Sequence, residues 1–131
     1  MRLLLDTHLL IWSANSSAAT GPMSAEAAEL IDDQANVLHF SAASIWETAI
    51  KYALKRVDFT VEPHAFRKGL LDNGYQELDV TGEDAAFVGG LLKLHGDPFD
   101  RLLVAQATVN GLVLVTADEK LARYPGPIHL V

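Results

Sequence analysis

Four acidic side chains lie where a short apolar run gives way to an amphipathic stretch, namely Asp6, Glu47, Asp100 and Asp118. In a parallel α/β fold the carboxyl ends of neighbouring strands line one crevice, so side chains at such junctions come together. Carboxylates gathered in one crevice repel each other unless a cation lies between them. Hard oxygen ligands suit Mg²⁺ or Mn²⁺. The pattern therefore predicts a divalent metal site that serves phosphate chemistry.

Each of the first two acids also has a purely structural explanation. Asp6 ends an apolar run, where an Asp is common as a solvated strand end or a helix cap. Glu47 lies three residues after Ser44, the spacing of a capping box, in which the Glu side chain reaches back to the cap's backbone N–H. If the helix begins at Ser41 instead, Glu47 lies deeper in the helix and can point into the crevice. Both alternatives for Glu47 stay open at this point.

The two later acids have similar alternatives. Asp97 is a natural N-cap, Pro98 fits the first helical position, and Asp100 in the first turn complements the helix dipole. One acid suffices for capping, so the other remains for a metal. Thr116 and Asp118 follow an apolar strand, and their hydroxyl and carboxylate could cap a helix or hold a metal and its water. The joint placement of the acids, more than any one of them, favours a functional site.

The remaining polar residues give weaker signals. The histidines have no compact ligand spacing, which argues against a zinc site. His95 is close to Asp97 and could approach the crevice, but we expect it on the surface. A small basic patch follows Glu47 and is either a solvated helix face or a contact with an RNA backbone. Arg101 could bind a phosphate or pair with an acid. The basic residues concerned are Lys51, Lys55, Arg56 and Arg101.

Short apolar runs alternate with amphipathic stretches, which favours a parallel sheet covered by helices on both faces. Helices are expected to begin near residues 7, 24, 41 or 44, 63, 81 and 97, and the last of them closes at Asn110-Gly111. Thr7 could cap the first helix, and the helix that begins at Thr81 is expected to carry apolar residues as far as Leu92. Residues 16–22 are predicted to form a loop. The strand order does not follow from the pattern. The predicted strands cover residues 3–5, 37–40, 78–80, 112–115 and 128–130.

Length and composition limit the class of protein. A chain of 131 residues, half of them hydrophobic, predicts a single domain over residues 1–131 with a real core. The formal charge of −7 argues against binding nucleic acid through a broad basic surface, although bound cations can reverse the sign of an acidic pocket. Cysteine is absent, and no segment has the length of a membrane span. We therefore expect a soluble, cytoplasmic protein.

Four segments in order along the chain resemble the PIN-domain toxins of the VapC type. They begin at Asp6-Thr7-His8, Ser41-Ala42-Ala43, Asp97-Pro98-Phe99-Asp100 and Thr116-Ala117-Asp118. The resemblance implies a three-layer α/β/α fold and an Mg²⁺- or Mn²⁺-dependent endoribonuclease, the toxin of a type II toxin–antitoxin pair. It implies metal ligation by Asp6, Glu47, Asp100 and Asp118, with Thr7, Asp97 and Thr116 beside the site. It also implies a homodimer and a VapB-type antitoxin as partner.

On this reading, RNA phosphodiester bonds are hydrolysed by water activated at one or two metal ions. A phosphatase using Asp6 as nucleophile is an alternative, but the second acid that one such family carries two positions later is His8 here. A non-catalytic, receiver-like module is a further alternative. Its adjacent acids after the first strand are missing at Asp6-Thr7, and Lys120 matches its lysine poorly.

Overall fold

The computed structural model describes residues 1–14 and 22–131 and contains a five-stranded sheet. All strand pairs are parallel, and the spatial order is β3-β2-β1-β4-β5. The loop predicted over residues 16–22 lies outside the described residues, except for Pro22. The strands are β1 (Arg2–Leu5), β2 (Val37–Ser41), β3 (Gln76–Leu78), β4 (Val113–Thr116) and β5 (Ile128–Leu130).

Helices cover both faces of the sheet. They are α1 (Thr7–Ala14), α2 (Ala25–Asp32), α3 (Ala42–Ala53), α4 (Pro63–Asp72), α5 (Gly82–Phe87) and α6 (Pro98–Asn110). Single 3₁₀ turns span Val88–Gly90 and Leu121–Arg123. Among the described residues, no helix combines the length and the apolar character that crossing a bilayer requires.

The apolar run of β1 explains the layered architecture. Successive side chains of a strand point to opposite faces, so Leu3 and Leu5 pack into one core cluster and Leu4 into another. The first cluster is completed by α1, α2 and α4, and the second mainly by α6. All three leucines are fully buried. The predicted three-layer α/β/α fold with a central parallel sheet is confirmed.

Capping residues and a glycine stop place several helix ends where the sequence predicts them. The Ser24 side chain caps α2, and Thr81 and Asp84 form a reciprocal capping box at α5. Asp97 caps α6 with Pro98 at its first position, and Gly111 ends that helix with a φ of 67°. A left-handed backbone of this kind favours glycine, which explains the Asn110-Gly111 stop.

Two predicted boundaries are wrong. The third strand covers Gln76–Leu78, two residues earlier than expected, because its register on β2 pairs His39 with Gln76. The helix predicted to continue through Leu92 leaves α-helical geometry after Phe87 and tightens into a 3₁₀ turn. That turn contains Gly89 and Gly90, and glycine is a poor helix former.

The strand order reverses between β1 and β4. The chain builds β1, β2 and β3 outward in one direction, and β4 and β5 then extend the sheet on the other side of β1. In sheets of this kind the crevice lies at the carboxyl ends of the strands, beside such a reversal. Asp6 follows β1 and Asp118 follows β4, so two of the four predicted acids lie at this point.

Candidate metal centre

Asp6 is held rigidly at the junction of β1 and α1. Its backbone N–H donates to the Val115 carbonyl at 3.1 Å, so it continues the pairing of β1 with β4. Its Oδ2 accepts a hydrogen bond from the Thr116 hydroxyl at 2.5 Å, and its Oδ1 accepts one from the Leu9 backbone N–H at 2.9 Å. Burial raises the pKa of Asp6, and these two hydrogen bonds oppose that rise.

The first helix is capped by Asp6 and not by Thr7 as predicted. Thr7 is the first residue of α1, and its hydroxyl donates to the Ser44 hydroxyl at 2.9 Å. This buried contact ties the start of α1 to α3. Thr7 therefore links the elements that carry Asp6 and Glu47, and within residues 1–14 and 22–131 its hydroxyl makes no hydrogen bond to either carboxylate.

The position of α3 decides between the two alternatives for Glu47. The Ser41 hydroxyl accepts the Ala43 N–H at 3.0 Å, so Ser41 is the N-cap and the capping box at Ser44 is wrong. Glu47 lies in the second turn and is only 2% exposed. Its Oε2 accepts a hydrogen bond from Lys51 Nζ at 2.6 Å.

The second oxygen of Glu47 is the most informative atom of the site. Within the described part of the chain, Glu47 Oε1 is one of two buried side-chain atoms that have no hydrogen-bond partner. A buried acceptor without a donor costs about 1–3 kcal/mol, and more for a charged group. A cation bound at this oxygen would remove that cost.

Of the two acids at the start of α6, Asp97 caps the helix, and Asp100 remains for a metal. Asp97 Oδ1 accepts the backbone N–H groups of Phe99 at 2.8 Å and Asp100 at 3.2 Å, which makes Asp97 the helix cap. The Asp100 side chain is thus free of capping. Burial and then the charges of Asp97 and Glu47 raise the pKa of Asp100 to about 7, and Asp6 contributes to the rise. His95 opposes it.

Asp118 has both carboxylate oxygens engaged. Oδ1 accepts the Lys120 backbone N–H at 2.8 Å, and Oδ2 lies 3.0 Å from Nε2 of His95. Burial raises the pKa of Asp118, but the hydrogen bonds with His95 and Lys120 outweigh it, so the pKa is lowered overall. The Thr116 hydroxyl accepts the Asp118 backbone N–H at 3.0 Å while it donates to Asp6, so Thr116 couples these two acids.

The prediction of a surface position for His95 is wrong. Its side chain is 14% exposed, and its Nε2 lies 3.3 Å from Asp100 Oδ2 as well as 3.0 Å from Asp118 Oδ2. Ligand atoms of these three residues lie within 4.8 Å of one another, a separation that suits one metal ion. Spacing along the chain did not reveal this group, because His95 and Asp118 are 23 positions apart. The only local signal is that His95 precedes Asp97 by two positions.

The four predicted acids therefore meet at one edge of the sheet. The charges of Asp6 and Glu47 act on Asp100, and the charge of Asp118 acts on Asp6. The pKa values of Asp6 and Asp100 are raised, and Glu47 has an unsatisfied buried oxygen, a combination that fits a hard divalent cation. The structure thus provides oxygen donors for a metal and a physical reason to bind one.

The predicted basic contacts lie in different surroundings. Lys51 is committed to Glu47, with its Nζ also 4.8 Å from the centre of the Phe59 ring. Arg101 donates to the carbonyls of Val88 at 3.3 Å and Leu91 at 3.4 Å, so it ties α6 to the preceding turn. Two exposed basic residues remain after α3, Lys55 and Arg56.

His8 pairs with Asp58 outside the group of four acids, although its charge still acts on Asp6. Its Nε2 is 3.1 Å from Asp58 Oδ2, and its ring contacts Phe59 edge-on with 5.6 Å between the centroids. The position that an aspartyl-phosphate mechanism would need for its second acid is therefore occupied by a half-exposed histidine paired elsewhere. This arrangement gives the phosphatase alternative no support.

Comparison with known proteins agrees with the geometry. The model of the PIN domain matches residues 3–127, and the chain belongs to the PIN-domain family. Within that family it is similar to Ribonuclease VapC22 of Mycobacterium tuberculosis, with 30% identity over 128 residues and 95% of each chain covered. The resemblance to PIN domains of the VapC type is thereby confirmed.

Solved structures show the same fold at lower identity. The crystal structure of VapBC2 from Rickettsia felis, bound to a DNA fragment from its promoter, matches with a TM-score of 0.68 and 16% identity, covering 99% of this chain and 98% of that one. DNA-bound VapBC from Salmonella typhimurium matches with a TM-score of 0.68 and 19% identity over 98% and 97% of the two chains. At these identities the likeness concerns the fold.

Proposed function

We propose that this protein is a divalent-metal-dependent endoribonuclease and the toxin of a VapBC-type toxin–antitoxin pair. The observation that carries the proposal is the convergence of Asp6, Glu47, Asp100 and Asp118 around an unsatisfied buried oxygen of Glu47. The substrate class comes from the name of the similar ribonuclease. A protein that cleaves RNA and has an antitoxin is expected to act in the cytoplasm.

The four acids would hold the metal, which we propose is Mg²⁺ or Mn²⁺. When bound, such an ion supplies Lewis-acid stabilisation of phosphoryl oxygens and a water molecule of lowered pKa. Hydrogen bonds from Thr116 and from the Leu9 backbone keep both oxygens of Asp6 oriented. Asp97 holds the start of α6 and so directs Asp100 into the crevice.

Lys51 prepares Glu47 for this task. Its ammonium group neutralises one oxygen of a carboxylate that is almost fully buried, while the other oxygen stays open. A buried carboxylate without such a partner is strongly destabilising. Lys51 therefore pairs with Glu47 when no cation is bound, and we assign it this role in place of the predicted RNA contact.

The RNA backbone contact is then left to Lys55 and Arg56. Both are exposed directly after α3, the helix that carries Glu47. Arg101 is left out of the proposed contact because its guanidinium group donates to backbone carbonyls. Two positive charges after the helix that carries Glu47 would attract a phosphate chain without a broad basic surface, in agreement with the net charge of −7.

The partner proposal rests on the relatives. Two of the similar structures are named as VapBC assemblies on DNA, so we propose a VapB-type antitoxin for this chain, and a homodimer as its own assembly. Expression of this protein alone should stop the growth of a bacterial host, and co-expression of the small neighbouring gene that encodes the antitoxin should restore growth. Normal growth during expression of the soluble, folded protein would contradict the toxin role.

The enzymatic part is tested by RNA cleavage with purified protein. Cleavage should cease in EDTA and return with Mg²⁺ or Mn²⁺. Asp6→Asn should abolish cleavage, whereas Asp72→Asn should preserve it, because Asp72 is exposed and pairs with Lys68 at 2.6 Å. Full cleavage after verified removal of metal, or full cleavage by the Asp6 variant, would overturn the proposed mechanism.

A further inference from the structure

His95, Asp100 and Asp118 form a group that a metal ion could occupy, and two roles are conceivable for the imidazole. It could ligate the metal directly through Nε2, or it could donate a hydrogen bond that positions the carboxylates. The choice depends on which ring nitrogen carries the proton. Nε2 faces Asp118 Oδ2 at 3.0 Å and Asp100 Oδ2 at 3.3 Å, so the answer has to come from the environment of Nδ1.

The environment of Nδ1 determines the tautomer. The backbone N–H of Asp97 donates to His95 Nδ1 at 3.1 Å. A backbone N–H can only donate, so Nδ1 must supply a lone pair. A proton on Nδ1 would face the Asp97 N–H directly. The neutral ring with its hydrogen on Nε2 is the form that satisfies this contact.

The backbone around the histidine keeps this contact in place. The His95 N–H donates to the Tyr124 hydroxyl at 3.1 Å, and the Tyr124 side chain is buried in the core cluster that includes α6. On the other side, Asp97 is fixed as the N-cap of α6. His95 therefore lies between two anchored points, and its ring cannot turn Nδ1 toward the carboxylates without losing the Asp97 contact.

We propose that His95 is a positioning residue and not a metal ligand: its Nε2–H donates to Asp118, lies beside Asp100 and holds the two carboxylates in the arrangement that accepts the cation. This proposal rests on the proposed function of the same site. Asp118 needs such support most, because its side chain is 38% exposed while that of Glu47 is 3% exposed. With Oδ2 oriented by His95 and Oδ1 by the Lys120 N–H, the plane of the Asp118 carboxylate is set.

The first test reads the tautomer directly. In ¹⁵N-labelled wild-type protein, two-bond ¹⁵N–¹H correlations distinguish a protonated Nε2 from a protonated Nδ1. We expect protonated Nε2 in His95, both in EDTA and with saturating Mg²⁺. A protonated Nδ1 in either state, or a metal-ligated Nε2 signal after Mg²⁺ addition, would overturn the proposal. This measurement does not depend on RNA cleavage, so it remains informative if the protein proves not to be a ribonuclease.

The second test compares a hard and a softer metal by calorimetry. Co²⁺ gains more than Mg²⁺ from an imidazole ligand, so loss of a ligand would weaken Co²⁺ binding selectively. We expect His95→Ala to weaken both metals by the same factor, about 10- to 100-fold, as for other groups that orient ligands. His95→Gln should restore part of the affinity because its longer amide can donate near the Nε2 position, whereas His95→Asn should not. A selective loss of Co²⁺ affinity, or equal losses in the Gln and Asn variants, would contradict a positioning role.

Discussion

Replacing Asp100 by Asn should stabilise the metal-free protein at high pH while it abolishes RNA cleavage. The pKa of Asp100 is about 7 in the folded protein, whereas the unfolded chain loses this proton near the ordinary aspartate pKa of 3.8. Unfolding between these pH values therefore releases a proton. The contribution of Asp100 to stability is complete below about pH 4 and is lost as the pH rises through about 7.

The size of the effect follows from the shift. A difference of about 3 pKa units corresponds to about 4 kcal/mol. One fifth of the Asp100 side chain is exposed, and water screens its interactions there. We therefore expect the substitution to raise the unfolding free energy by about 2 kcal/mol at pH 8. For a chain of this length that amounts to about 5–10 °C in the melting temperature. Loss of a negative charge from the first turn of α6 subtracts about 0.5 kcal/mol.

The assay is thermal unfolding in EDTA at pH 5 and at pH 8, for wild type, Asp100→Asn and the exposed control Asp72→Asn. From pH 5 to pH 8 the melting temperature of the Asp100 variant should rise relative to that of wild type. The difference in melting temperature between the control and wild type should stay constant. Mg²⁺ should then stabilise wild type and leave Asp100→Asn unchanged. If the difference in melting temperature between the Asp100 variant and wild type is the same at both pH values, the burial and charge repulsion assigned to this carboxyl are wrong.

Three further changes test the supports of the site. Lys51→Met should lower the unfolding free energy in EDTA by about 3 kcal/mol, because Glu47 is left buried without a partner. In thermal unfolding, Mg²⁺ should stabilise this variant more than it stabilises wild type. Equal stabilisation of the two proteins would contradict the pairing. Thr116→Val should cost about 1–3 kcal/mol by denaturant unfolding, since Asp6 loses a donor, and should weaken Mg²⁺ binding by calorimetry. Unchanged Mg²⁺ affinity would show that this hydroxyl does not orient Asp6. Ser41→Ala removes the cap of α3 and should cost about 1–2 kcal/mol in urea, and an unchanged midpoint would dispute the observed helix start.

Much of the fold could be predicted because its signals are local. The apolar run before Asp6, the Asp97-Pro98 start of α6 and its Gly111 stop act within a few residues of themselves. The junctions between strands and helices located the four acids for the same reason. Periodicity also predicted a sheet covered on both faces, since apolar residues on both sides of a strand need helices on both sides.

The partners of these residues were decided by the tertiary structure. The bond between Thr116 and Asp6 joins residues 110 positions apart, and it exists because β4 pairs with β1, a choice that the order of elements does not contain. Tertiary packing also buries Asp100 and brings the charges of Glu47 and Asp6 close to it, which raises its pKa. His95 looked like a surface residue because its ligand-like neighbours come from α6 and from the turn after β4. Spacing along a chain predicts local geometry, but the charge, burial and protonation of a side chain depend on whichever distant segments pack against it.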